Sequence, residues 1–190
     1  MRDMMKGKMD SVGFRSFVQD PANAKTFYAG LWSSNDPGSA IWKTTDGGKK
    51  WVATGTGVPN DDIVLLLSEA TGTVFALTNK KTIYRSTDAG KSWSKVGTGI
   101  PDAKLHQLIV DPSSPTRLLA ATEKGLYRST DNGATFAQVT AGLEDDDIEA
   151  VVVAPGGGIY AGSFHGVFKS VDGGANWTSV GKGLPNTDVR

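Results

Sequence analysis

The stretch Ser129–Phe136 reads STDNGATF, and the chain repeats it three more times. TTDGGKKW lies at Thr44–Trp51, STDAGKSW at Ser86–Trp93 and SVDGGANW at Ser170–Trp177. Each copy is Ser/Thr-x-Asp-x-Gly-x-x-aromatic. The aspartates Asp46, Asp88, Asp131 and Asp172 follow one another at spacings of 42, 43 and 41 residues. Chance does not place four matches at a near-constant period, so the chain is an internal repeat.

The flanks repeat with the box. A β-rich run precedes each copy: AIWKT, TIYRS, GLYRS and GVFKS. Before it comes a second run (TFYAG, VFALT, LLAAT, IYAGS), and before that an apolar one (FRSFVQDP, IVLLLSEA, HQLIVDP, IEAVVVAP). After the box the chain gives a short strand and a Gly-rich turn, as in WSKVGTGIP. Gly, Pro, Asn and Asp separate the runs, so each unit holds four strands. No stretch has convincing helical periodicity. Four strands in some 40–45 residues is one propeller blade. The fold class is therefore all-β: a β-propeller of four four-stranded blades, either part of a larger propeller or a half-ring completed by oligomerisation. The first run of each unit is nearly all apolar, which predicts an innermost strand buried on both faces.

The same residues predict how the box works. Its Asp accepts backbone N–H groups and holds the hairpin between the third and fourth strands. Gly48, Gly90, Gly133 and Gly174 are expected at positive φ. Trp51, Trp93, Phe136 and Trp177 are expected to pack between blades, and Thr44, Ser86, Ser129 and Ser170 to add a hydroxyl bond to the turn. Four copies around a ring point in different directions and cannot converge on one substrate, so these aspartates read as scaffold.

The boxes resemble the Asp-box, or BNR, repeat, and the resemblance covers Ser11–Pro185. Families with this repeat include sialidases, xyloglucanase-type glycoside hydrolases, sortilin-type receptors and a photosystem II assembly factor. The copy VDPSSPTRLLAATEKGLYRSTDNG is most similar to bacterial repeat proteins described as glycosidase-like. The resemblance implies a propeller and leaves the function open. A sialidase would need an arginine triad, a Tyr–Glu pair and an Asp acid. Here Arg85 and Arg128 share a repeat column with Lys43 and Lys169, and Tyr84 and Tyr127 share one with Trp42 and Phe168. Xyloglucanase-type enzymes carry an Asp whose place falls on Glu123 in AATEKG, making Glu123 the single weak candidate for a catalytic residue. The second carboxylate of that family lies in a further domain.

Function in such a fold is expected in the loops that break the repeat. Trp32–Ala40, Thr78–Thr82, Thr122–Gly125 and Ser163–Gly166 join the second and third strands. Asn60–Asp62, Asp102–Lys104, Glu144–Asp147 and Asn186–Asp188 connect successive blades. Both sets are expected opposite the box hairpins. They offer Trp32, Phe164 and His165 for stacking and Asp36, Asp62, Glu123 and Asp146 as acceptors. The EDDD run Glu144–Asp147 reads as a solvated charge cluster rather than a Ca²⁺ loop. His106 and His165 read as isolated, so no metal site and no cofactor are expected.

Formal charge is zero, with 20 basic and 20 acidic residues and no basic stripe, which excludes a nucleic-acid binder. No apolar run reaches the ~18 residues of a membrane helix. There is no cysteine, which removes disulfides and thiolate metal sites without fixing a compartment. Residues 1–10 lack the apolar segment of a signal peptide, although proteins with this repeat are often exported. Residues 1–10 are expected to be a disordered or helical lead-in. Residues 11–185 should form blades at about 11–60, 61–101, 102–144 and 145–185. Residues 186–190 match the beginning of a fifth blade. The expected partner is a second copy completing a ring, or the remainder of a larger propeller. Beyond that the sequence predicts a non-catalytic module for a protein or glycan ligand, with a glycoside hydrolase-like propeller or its remnant as the alternative. A propeller fragment without a ligand of its own stays open as well.

Overall fold

The computed structural model describes residues 13–32, 40–59, 61–69, 71–143 and 146–182. They form strands and turns, with no helix among the described residues. Four antiparallel sheets follow one another, each with its four strands in chain order. The first contains β1 (Gly13–Gln19), β2 (Phe27–Trp32), β3 (Ile41–Thr44) and β4 (Val52–Ala53). The second contains β5 (Ile63–Ser68), β6 (Val74–Thr78), β7 (Ile83–Ser86) and β8 (Ser94–Val96). The third contains β9 (Leu105–Asp111), β10 (Ser114–Thr122), β11 (Gly125–Ser129) and β12 (Ala137–Val139). The fourth contains β13 (Ile148–Val153), β14 (Ile159–Ser163), β15 (Gly166–Ser170) and β16 (Thr178–Ser179). These are propeller blades. The lead-in and the fifth-blade stub lie outside the described residues.

The chain divides after Val96 into two compact units. In the first, Tyr28, Ile41, Ile63, Leu66, Val74 and Trp93 share one buried cluster. In the second, Leu119, Leu126, Ile148, Val151, Ile159 and Trp177 do the same. Each cluster draws on two consecutive blades, because neighbouring sheets bury their facing sides against each other.

The burial of the first strand departs from the sequence reading. In β5 only Ile63 and Leu66 are buried, and in β13 Val152 stands 57% exposed. The most continuously buried strand is the second: all of Val74–Thr78 in β6, and Leu118–Thr122 in β10. The reason is position in the sheet. The first strand is an edge and pairs on one side only, whereas the second is flanked by both neighbours.

A second kind of bond repeats between consecutive segments. In the first three blades the turn after the fourth strand reaches the aromatic residue of the following box. Trp93 N–H donates to Thr56 O at 3.0 Å, Phe136 N–H to Thr98 O at 2.7 Å and Trp177 N–H to Ala141 O at 3.0 Å. The residue after each acceptor is a glycine: Gly57, Gly99 and Gly142. This stitch ties the end of one repeat to the box of the next.

Candidate functional site

The Asp boxes form the predicted hairpins. In the second, Ser86 Oγ donates to Asp88 Oδ1 at 2.7 Å and accepts Gly90 N–H at 2.8 Å. Asp88 Oδ1 accepts Ser92 N–H at 2.9 Å, and Oδ2 accepts the Ser92 hydroxyl at 2.6 Å. The third box repeats this with Ser129, Asp131, Gly133 and Thr135. The fourth uses Ser170, Asp172, Gly174 and the Asn176 amide. The first, with Lys50 four residues after Asp46, makes only the backbone bond there, at 3.0 Å. Gly48, Gly90, Gly133 and Gly174 all have positive φ, at 91°, 86°, 75° and 81°. Trp93, Phe136 and Trp177 are buried, while Trp51 is half-buried.

Hydrogen bonds to the ionised form hold the box carboxylates below the usual range. For Asp88 the Ser92 hydroxyl contributes most, for Asp172 the Asn176 side chain, and for Asp46 the Lys50 backbone N–H. For Asp131 the Thr135 hydroxyl leads and the pKa falls to about 2. An ordinary unfolded aspartate titrates near ~3.9. A depressed folded value means that the stability Asp131 contributes is complete above that pH and is lost as pH falls through about 2. Urea midpoints measured from pH 5 to pH 2 should therefore drop, and Asp131→Asn should make the drop shallower. An identical slope in the variant would contradict this account.

In the second and third blades the hairpins joining second to third strands lie at the other end of the sheet, bonded to the connections entering the first strands. Asn79 N–H donates to Asp62 O at 2.9 Å, and Asn79 Nδ2 to Asp62 Oδ2 at 3.2 Å. In the next blade Glu123 takes the column of Asn79 and Lys104 that of Asp62. Glu123 N–H donates to Lys104 O at 3.1 Å, and Glu123 Oε1 accepts Lys104 N–H at 2.8 Å. The Glu123 carboxylate thus closes a loop. Beside the first of these, Lys80 Nζ meets the buried Asp61 at 2.6 Å.

Trp32 ends β2, 48% exposed, with the Arg15 guanidinium 5.3 Å over its ring. Phe164 is half-buried, His165 and Asp146 are exposed, and His165 N–H donates to Ser163 Oγ at 3.1 Å. Asp36 lies outside the described residues. Trp32 and Asp62 belong to the first unit; Glu123, Asp146, Phe164 and His165 belong to the second.

One constellation was missed. His106 is not isolated: its Nδ1 lies 3.2 Å from Glu149 Oε2 and its Nε2 lies 3.2 Å from Asp147 Oδ1. His106 is the second residue of β9, and Glu149 is the second residue of β13. By strand register they occupy the same repeat column, at the irregularity of each first strand, held by Arg15 in the first blade and Val64 in the second. A comparison down that column shows a single apolar residue, Val64, among three charged or titratable ones, a signal present in the sequence.

The family model described as sortilin, neurotensin receptor 3, matches residues 39–145, more than half of the chain. The chain belongs to the Sortilin-Vps10 family. Solved structures share the fold of this Sortilin-Vps10 chain at low identity. An ancestral GH74 enzyme superposes with a TM-score of 0.65 and 21% identity over 88% of this chain and 24% of its own. The GH74 enzyme of Niastella koreensis gives 0.67 and 19%, over 93% of this chain and 31% of its own. YCF48 bound to D1 peptide gives 0.63 and 17%, over 88% and 52% respectively. The chain thus spans between about a quarter and about a half of the length of these relatives. No curated protein matches it significantly in sequence.

Proposed function

We propose that this chain is a non-catalytic binding and assembly module whose ligand docks on the loop face opposite the Asp-box hairpins. The observation that carries the reading is the employment of its carboxylates. Each box aspartate is consumed by its own turn, and the Glu123 carboxylate is taken by the Lys104 N–H. A glycoside hydrolase needs two convergent carboxyl groups, ~5–5.5 Å or ~6.5–9.5 Å apart, free to act on a substrate. Trp32 in the first unit and Phe164 and His165 in the second offer instead flat rings at loop ends, while Asp62 and Asp146 lie in the separate connections that enter β5 and β13. Rings with few rotatable bonds suit recognition of an extended polypeptide. Membership in a receptor family and the likeness to a propeller bound to a peptide support that ligand class over a glycan.

The likeness to GH74 enzymes favours a second reading, a hydrolase-like propeller or its remnant acting on polysaccharide. We further propose that more blades complete the ring, contributed by a second copy or by a larger propeller. Trp51, the first-blade counterpart of the buried Trp93, packs on Phe17, which is itself 59% exposed.

One set of measurements tests these readings together. The chain is screened against a peptide library and a glycan array, with its solution mass recorded by light scattering at micromolar concentration. Peptide binding should weaken roughly tenfold or more in Trp32→Ala or Phe164→Ala at unchanged melting temperature. Asp88→Asn should do the reverse, lowering the melting temperature and leaving affinity unchanged. Polysaccharide hydrolysis abolished by Glu123→Gln would replace the module with the enzyme. A strict monomer would remove the second copy.

A further inference from the structure

We propose that His106, Asp147 and Glu149 form a binding site for a divalent transition-metal ion at the facing first strands of the third and fourth blades. The site is built on strands. Gln107 Oε1, next to His106, accepts Val151 N–H at 2.8 Å, which fixes β9 against β13. The three side chains each offer one ligand atom, all within 4.8 Å of one another.

The geometry around the histidine argues for a cation. The His106 side chain is only 8% exposed and has a carboxylate oxygen 3.2 Å from each ring nitrogen. A neutral imidazole carries a single N–H. Directed at Glu149, that N–H leaves the Nε2 lone pair facing Asp147 Oδ1. These two atoms are sealed from solvent and share no hydrogen bond. Two buried acceptors in contact carry an unrelieved desolvation cost. A metal ion ligated by both relieves it. Their 3.2 Å separation matches the edge of a coordination tetrahedron, about 3.3 Å for metal–ligand bonds near 2.0 Å.

Glu149 then stands where a metal-bound histidine ordinarily finds its partner, accepting the other ring N–H and orienting the ring. The two ligating atoms are sealed, but the Asp147 side chain as a whole is 35% exposed and that of Glu149 23%, so the cluster borders solvent, from which a bound ion would take its remaining ligands. One imidazole with carboxylates suits Zn²⁺, Co²⁺ or Mn²⁺ better than Ca²⁺ or Mg²⁺, which prefer all-oxygen shells. Two carboxylates also balance the charge of a divalent ion.

The rival occupant is a proton, which would turn His106 into an imidazolium bonded to both carboxylates. Chelator-stripped chain titrated with Zn²⁺ by calorimetry decides between them, with Co²⁺ as a spectroscopic probe. The expected result is one ion per chain, a melting temperature raised by Zn²⁺ and restored by chelator, and a visible Co²⁺ spectrum. His106→Gln and Asp147→Asn should abolish binding, and Glu149→Gln should weaken it about 10–100-fold. Should His106→Gln fail to fold, Asp147→Asn decides alone, since that side chain is partly exposed and keeps its shape. Absence of saturable binding, or binding retained in Asp147→Asn, would overturn the proposal. A melting temperature indifferent to Zn²⁺ would do the same and leave the proton as the occupant.

Discussion

Trp93→Ala should destabilise the first unit by about 3–5 kcal/mol, the range for emptying a large aromatic site in a core. Trp93 is 7% exposed and sits in the cluster with Tyr28, Val58 and Leu66. Its indole N–H donates to Thr54 O at 2.6 Å and to Gly90 O at 3.2 Å, so one side chain binds the preceding blade to its own box turn. Truncation empties the space between two sheets and leaves both carbonyls without this donor. Such a loss is a large share of the ~5–15 kcal/mol that holds an average domain together. Trp93→Phe keeps most of the packing and loses the indole bond alone, at about 1 kcal/mol. The third blade already carries Phe136 at this position, buried at 6%. Urea unfolding of the three proteins gives the comparison. A loss for Trp93→Ala no larger than that for Trp93→Phe would show that packing between blades is not what the residue supplies.

The box was legible in the sequence because its chemistry is local. A hydroxyl, a carboxylate and a glycine at fixed offsets have one economical arrangement, and Ser86, Asp88 and Gly90 adopt it. The residue four positions after the Asp escaped notice, although Ser92, Thr135 and Asn176 each add a side-chain bond. The box pattern leaves that place variable. Burial of the strands was less legible. IVLLL is more apolar than VFALT, yet the second is the buried one. Composition reports an affinity for the interior, whereas sheet order decides which strand has a neighbour on each side.

The loop residues show the same division. Glu123 attracts notice as an acid in a family with catalytic acids, but its register opposite Lys104 becomes visible only once the hairpin and the incoming connection are seen side by side. His106 and Glu149 lie one repeat apart, so their proximity follows from the stacking of two blades rather than from any motif. In a repeat protein such pairs are found by reading down a column.

Gly142→Ala should cost about 3 kcal/mol or more, through two effects that a control separates. Gly142 has φ +76°, and a Cβ there would stand 1.9 Å from Trp177 O and 2.8 Å from its carbonyl carbon. The left-handed backbone alone costs an alanine about 1–2 kcal/mol. The clash adds to it, because the obstacle is backbone and moves only if the stitch between Ala141 O and Trp177 N–H opens. Overpacking of this kind costs about 1–3 kcal/mol. Gly156, in the hairpin between β13 and β14, has φ +96° and open space around a Cβ. Gly156→Ala therefore measures the backbone cost by itself. The difference between the two variants in urea unfolding isolates the stitch, and Gly99→Ala should match Gly142→Ala, since its Cβ would stand 2.1 Å from Phe136 O. Equal losses for Gly142→Ala and Gly156→Ala would mean that the turn yields to the methyl group. The contact between trailing turn and following box would then be permissive, and the repeat would be held together by its aromatic residues alone.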